Sequence, residues 1–267
     1  MKRRQLLLLA AAAACRSASH PERWSLARAL SSTARAAGEA AGTDEAWLLD
    51  ELERIAERAR RLTRDGGDPT AGIVRALFDE LGFEREVEST ELRFVCLPGV
   101  LRERRGSCVG LGTLYLALAE ALGFAAQGVL MPGHFYVRQE SPAPPRNVEL
   151  LRRGEAMSDD WYPRRFPVPS GAAYYAMRLT TDQVLGVIEY NVGNERRRQE
   201  RYAEARAAYS RAVRRFPAFA EAHASLGAMQ HLLGELPAAA ASYRTAQQLN
   251  SALPGLAANV VMLEAEL

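Results

Sequence analysis

Lysine is nearly missing from this chain. Lys2 is the only one among 34 basic residues, and arginine supplies the rest. Set against 32 acidic residues, the basic side chains leave a net charge of +2, which gives no footing for a nucleic-acid partner. Long apolar runs are also missing. LLLLAAAAA covers nine residues, well short of the ~20 that a membrane-spanning helix needs. Cysteine and histidine are scarce, at three and four. They fall into no metal-ligand spacing, and no glycine-rich phosphate loop is present, so neither a metal nor a cofactor is expected. What remains is ordinary for a globular protein: 48% hydrophobic and 25% charged over 267 residues, enough for one large domain or two modest ones.

The first residues read as a processing signal rather than structure. MKRR is a basic n-region, the nine-residue apolar run follows, and Cys15 comes directly after three alanines. A cysteine there resembles a bacterial lipoprotein signal, in which the new N-terminal cysteine carries the lipid. Arg3-Arg4 ahead of Leu6-Leu7 also hints at twin-arginine export. The expectation is an exported protein, periplasmic or on the outer surface, held to the membrane only by lipid on Cys15. A plain cleaved signal is the alternative.

Residues 16–44 read as a tether and a first helix. Leu48, Leu52, Ile55, Ala59 and Leu62 recur at helical spacing, and Gly66-Gly67-Asp68-Pro69 breaks the pattern. A further helix is expected over residues 70–81, stopped by Gly82. The connector FEREVESTELRFVCLPGVLRERRGS leaves room for a short strand over residues 92–97. From Cys108, an apolar helix through Leu111, Leu114, Tyr115, Leu118 and Leu122 ends at Gly123. Strand-like runs follow at 126–131, 134–138 and 147–151, the last two joined by the proline-rich QESPAPPR. A helix followed by antiparallel strands is an α+β layout.

The C-terminal third is a repeat. Gly193, Ala205, Tyr209 and Ala212 recur 34 residues later as Gly227, Ala239, Tyr243 and Ala246. This resembles two tetratricopeptide repeats over residues 180–267 with a capping helix from about Pro254. A generic alanine-rich bundle would not keep that register. Small residues would let paired helices approach, with the tyrosines filling the groove between them. Thr180 and Gln183 read as a capping box at the start. His223 and His231 are expected at the surface, and Arg196–Arg198 at a solvated helix end.

One cysteine and one histidine invite a chemical reading. Ser107 is a plausible N-cap, placing Cys108 in the first helical turn. Backbone N–H groups and the positive dipole end would then face the sulfur, favouring a thiolate and offering an oxyanion a donor. Gly106 and Gly110 would leave room for a substrate backbone. His134 is the only histidine between residues 21 and 222, so a general base has one candidate, and it needs an acceptor on its other ring nitrogen. A hairpin with a loop over residues 138–145 sets Glu149 nearly opposite His134. A register two residues different sets it diagonal, still within reach, since opposed and diagonal side chains lie about 5 and about 7 Å apart. Asn147 is the alternative acceptor. Two blander readings compete: Cys108 as a buried core residue, as Cys96 in LRFVCLP should be, and a Cys96–Cys108 disulfide.

Cys, then His, then an acid, with the cysteine opening a helix and the others on adjacent strands, resembles the transglutaminase-like, papain-like superfamily. The stretches LFDELGF, LPGVLRERRGSCVGLGTLYLALAEALGF, GVLMPGHFYVR, NVELLRRGE and SDDWY, with repeats behind, are similar to its bacterial SirB-type branch. The resemblance implies a papain-like α+β core over residues 45–179: a helical N-terminal part, then the cysteine helix packed on a small antiparallel sheet. It makes Cys108 the nucleophile and His134 the base. Glu149 stands where the family usually has aspartate, and Trp161 and Tyr162 would wall the cleft. The activity implied is acyl transfer through a thioester on a peptide-like or protein substrate, as hydrolase or acyltransferase, with the repeats holding a protein partner. The resemblance also includes members with a degraded triad, so a non-catalytic binding or scaffold lipoprotein is the second expectation.

Overall fold

The computed structural model describes residues 23–39, 44–63, 67–141 and 144–266. Cys15 and the expected signal lie outside them. Three helical stretches open the described chain: α1 (Ser25–Ala36), α2 (Glu45–Leu62) and α3 (Pro69–Val74), which runs on as a π-helical turn over Arg75–Glu80. Their starts are set locally. The Asp44 and Asp68 carboxylates accept from the Ala46 and Thr70 N–H groups, and Pro69 occupies the first turn, where its missing N–H costs nothing. Leu48, Leu52, Ile55 and Ala59 are buried on one face of α2.

The expected strand over residues 92–97 is absent. Leu92–Phe94 form a 3-10 turn and Leu97–Glu103 form α4. Pro98 in the first turn of α4 suits a helix start and could not donate to a strand ladder. Arg104 then turns back in the left-handed region (φ +48°). This brings β2 (Arg105–Gly106) beside β1 (Glu84–Arg85) as a short parallel pair.

α5 spans Cys108–Leu122, and Gly123 ends it at φ +77°. It is buried on nearly every side, not along one stripe, because α2, α4, β3 (Ala126–Met131) and β4 (His134–Gln139) all pack around it. The Phe135 ring fixes the α5–sheet approach: a Cβ on Gly112 would fall 2.6 Å from it, and one on Gly128 2.3 Å. The sheet runs β3-β4-β5-β6, all antiparallel, with β5 at Arg146–Glu149 and β6 at Glu155–Met157. The third run thus stops as a strand at Glu149, and Leu150–Arg152 turn as a 3-10 helix into β6, which the sequence reading did not anticipate. The outer edge of β3 is not bare. Residues 176–179 pair along it, with the Ala176 N–H on the Leu130 carbonyl and the Leu179 N–H on the Gly128 carbonyl, both at 2.9 Å.

A short helix α6 (Trp161–Arg165) precedes the helical C-terminal part: α7 (Thr181–Arg198), α8 (Tyr202–Arg215), α9 (Ala220–Leu232), α10 (Leu236–Leu249) and α11 (Leu256–Glu264). The capping box of Thr180 and Gln183 is formed in both directions. The repeat register has a direct physical reading. A Cβ on Gly193 would sit 2.5 Å from the Tyr209 ring, and one on Gly227 2.6 Å from the Tyr243 ring. Each glycine is the floor on which the tyrosine of the following helix lies, once per repeat. His223 and His231 are half-buried rather than at the surface: His223 Nε2 contacts the Pro217 carbonyl at 2.9 Å and His231 pairs with Glu266 at 3.1 Å. Arg196 is buried, its guanidinium on the Ala37 carbonyl, so only Arg197 and Arg198 face solvent. One continuous core runs from Trp24 through α5 and the sheet into α7, α8 and the start of α9. No helix among the described residues is long and apolar enough to cross a membrane.

Candidate active site

Cys108 is the first residue of α5, and Ser107 caps that helix by accepting the Gly110 N–H at 3.2 Å. The Ser107 carbonyl takes the Leu111 N–H. The N–H groups of Cys108 and Val109 have no intrahelical acceptor and stand at the positive end of the dipole, beside the sulfur. The two glycines around it serve packing, not substrate access. A Cβ on Gly110 would meet the Phe94 carbonyl at 2.2 Å, and one on Gly106 would press on Leu111 and Val100 at 3.1–3.2 Å. These close approaches lock the cysteine turn onto the segment before α4. Cys96 and Cys108 are both free thiols, which removes the disulfide alternative. Cys96 is buried, and burial pushes its pKa up to about 12, making it inert; Cys108 is half-buried and lines a cavity.

His134 opens β4 and is 6% exposed. Val137 pairs with Val148 across the ladder, which sets Glu149 diagonal to His134. The longer glutamate side chain closes that gap: Oε2 lies 2.7 Å from His134 Nε2, and Oε1 accepts the Leu151 N–H at 3.0 Å. Both carboxylate oxygens are therefore fixed. Cys108 lines the same cavity as the imidazole and acts on its charge, and with Nε2 engaged by Glu149 the ring nitrogen left free is Nδ1. Burial opposes the charged ring, but the neighbouring Cys108 side chain and the Glu149 carboxylate that accepts from it together raise the His134 pKa to about 9.

Asn147 is not the orienting group. Its Oδ1 accepts from Arg138 at 2.8 Å, and its amide donates to Asp159 at 2.8 Å and to the Met157 carbonyl at 3.2 Å. Trp161 and Tyr162 do not line the cavity at Cys108; they stand behind the imidazole. Tyr162 stacks on Tyr136 at 3.6 Å and lies 6.2 Å from the His134 ring, while Trp161 meets Tyr162 edge-on at 5.0 Å. The Tyr162 hydroxyl is buried without a hydrogen bond of normal geometry. Burial and the nearby Glu149 charge keep that phenol protonated. The residue in face-to-face contact with His134 is Phe166, at 4.4 Å and 6° between planes. Sequence reasoning missed it, and the one available signal was the aromatic density of WYPRRF.

The cavity at Cys108 measures about 300 Å³. Val109, Leu130, Met131, Gly133 and His134 form one side, while α7 and the start of α9 form the other. A larger surface cavity of about 550 Å³, between Phe83 and Arg153, touches none of the three candidate residues. Among the described residues no group of three or more His, Cys, Asp or Glu side chains could hold a metal ion. A thiol at a helix head, an imidazole held by a carboxylate and an unpaired backbone N–H at the helix start are the groups that attack on a carbonyl would need.

A family model described as the transglutaminase-like superfamily matches residues 46–166, and a tetratricopeptide-repeat model matches residues 190–254. No curated protein sequence matches the chain.

Proposed function

Residues 46–166 belong to the transglutaminase-like superfamily and residues 190–254 are tetratricopeptide repeats; from that footing we propose a cysteine-dependent amide hydrolase or acyltransferase that works on a peptide-like substrate through Cys108, His134 and Glu149. The observation that carries the reading is the buried His134 imidazole, held by Glu149 Oε2 at 2.7 Å on the cavity that Cys108 also lines.

For the first half-reaction the proton given up by Cys108 Sγ resides on His134, in keeping with the raised pKa of that ring, and the sulfur adds to the amide carbonyl. The oxyanion is met by the Cys108 N–H at the head of α5. Collapse breaks the C–N bond, and the imidazolium gives its proton to the leaving amine. The thioester is then resolved by water or an amine, which gives a proton to the same ring as it attacks, and the thiol is regenerated. Glu149 holds the ring in place throughout. The repeats add a protein-interaction surface. The MKRR–LLLLAAAAA–Cys15 sequence supports export with a lipid anchor at Cys15.

The test is labelling by a thiol-reactive amide mimic. Cys108→Ala is expected to abolish labelling while the circular dichroism spectrum is kept. Equal labelling of the variant would leave a binding scaffold as the function.

A further inference from the structure

The far wall of the cleft comes from the repeats. Tyr190, Asn191 and Asn194 project from α7, and Phe219 and Glu221 stand at the start of α9. These are the first helices of the two repeats, so the face they share opens onto Cys108.

The charge of this wall is unlike that of the rest of the molecule. The chain has 33 arginines (34 basic residues less Lys2), yet none of them is among the described residues lining the cavity, where the one basic side chain, His134, stands on the opposite side. Its single acid is Glu221. The other acids of the interior are matched: Glu86 by Arg105, Glu149 by His134, Glu189 by Arg211 and Glu195 by Arg198. Among the described residues Glu221 has no ion-pair partner. It is instead held by two phenols, the Tyr174 hydroxyl donating to Oε2 at 2.7 Å and the Tyr175 hydroxyl donating to Oε1. Each oxygen keeps a lone pair for another donor. Burial pushes the Glu221 pKa up, and a carboxylate so placed gains most from an arriving positive charge. The rings of Tyr190 and Phe219, 4.8 Å apart, add faces that favour a cation.

We propose that the inner face of the first repeat helices is the substrate-selecting wall of the active site, and that Glu221 binds an ammonium or guanidinium carried by a peptide beside the amide that Cys108 attacks. The inference rests on Cys108 being the nucleophile. It gives the repeats a second task, choosing what the thiol acts on.

Two peptide vinyl sulfones that differ only in the residue bearing the warhead, lysine in one and norleucine in the other, test it by their rates of adduct formation at Cys108. The lysine probe is expected to react about tenfold faster, the size that a desolvated charge pair supports. Glu221→Gln should bring the ratio close to one. Asn194→Asp, which keeps an acceptor for the Tyr209 hydroxyl and adds a negative charge to the wall, should raise it, and does not disturb the tyrosine clamp. Equal rates in the unaltered protein, or a ratio that survives Glu221→Gln, would overturn the subsite. A failure of the nucleophile reading is told apart by Cys108→Ala protein titrated with acetyl-lysine methylamide and its norleucine counterpart by NMR. There, tighter binding of the lysine compound upholds the subsite without any chemistry, and equal binding removes it.

Discussion

Glu149 reaches His134 along a diagonal of the β4–β5 ladder, a path on which the extra methylene of glutamate over aspartate is used in full. Against the effect of burial, Cys108 and the Glu149 carboxylate both raise the imidazole pKa, so removal of the carboxylate has a directional effect. In Glu149→Gln the His134 pKa is expected to fall from about 9 toward its ordinary 6.5, read from the ring protons by NMR; a value that stays put would contradict the assignment. The sign for stability follows. A raised folded-state pKa means that the stabilisation tied to the charged ring is complete below 6.5 and is lost as the pH climbs through about 9. Denaturation midpoints should fall over that window in the unaltered protein and less in the variant. The placing of Cys108 at a helix head and of His134 and Glu149 on adjacent strands was legible because helix capping and strand alternation constrain where each side chain points. Phe166 was not, because stacking across a loop leaves no periodic trace, and Trp161 and Tyr162 were assigned to the wrong side of the imidazole for the same reason.

Among the elements, the helices declared themselves where caps and stops coincide, as at Ser107 and Gly123 or at Thr180 and Gln183. The stretch LRFVCLP misled because its apolar run suits a buried strand or a buried helix equally; the proline, read as a first-turn residue, was the deciding signal. The glycines of the repeats give the sharpest element-scale prediction. Inside an exposed helix a Gly→Ala change normally stabilises by about 1 kcal/mol. At Gly193 the added methyl would meet the Tyr209 ring at 2.5 Å. Gly193→Ala should therefore destabilise by about 1–3 kcal/mol in urea unfolding; a stabilised variant would refute the α7–α8 packing described above.

At the scale of the molecule, the repeats are continuous with the core that carries the active site. Val184, Leu185, Val187 and Ile188 of α7 are each 4% exposed or less and belong to the same cluster as α1 and α5. A chain ending at Leu179 would strip that cover from the cysteine helix. The full chain is expected to unfold in a single calorimetric transition, and the shortened one to bind a hydrophobic dye and lose its near-ultraviolet signal. A shortened chain that melts cooperatively at the same temperature would show two independent units. This joint was invisible in the sequence. Periodicity reveals which face of a helix is buried, but not which other surface buries it, so the repeats read as an appendage and not as the far wall of the cleft.

The coupling of Cys108 to His134 is the claim on which the chemistry stands, and the alkylation of Cys108 by iodoacetamide at pH 6.5, compared between the unaltered protein and His134→Ala, measures it. The rate should be at least about tenfold higher in the unaltered protein, since the imidazole takes up the thiol proton and leaves a nucleophilic sulfur. Equal rates in the two proteins would contradict it.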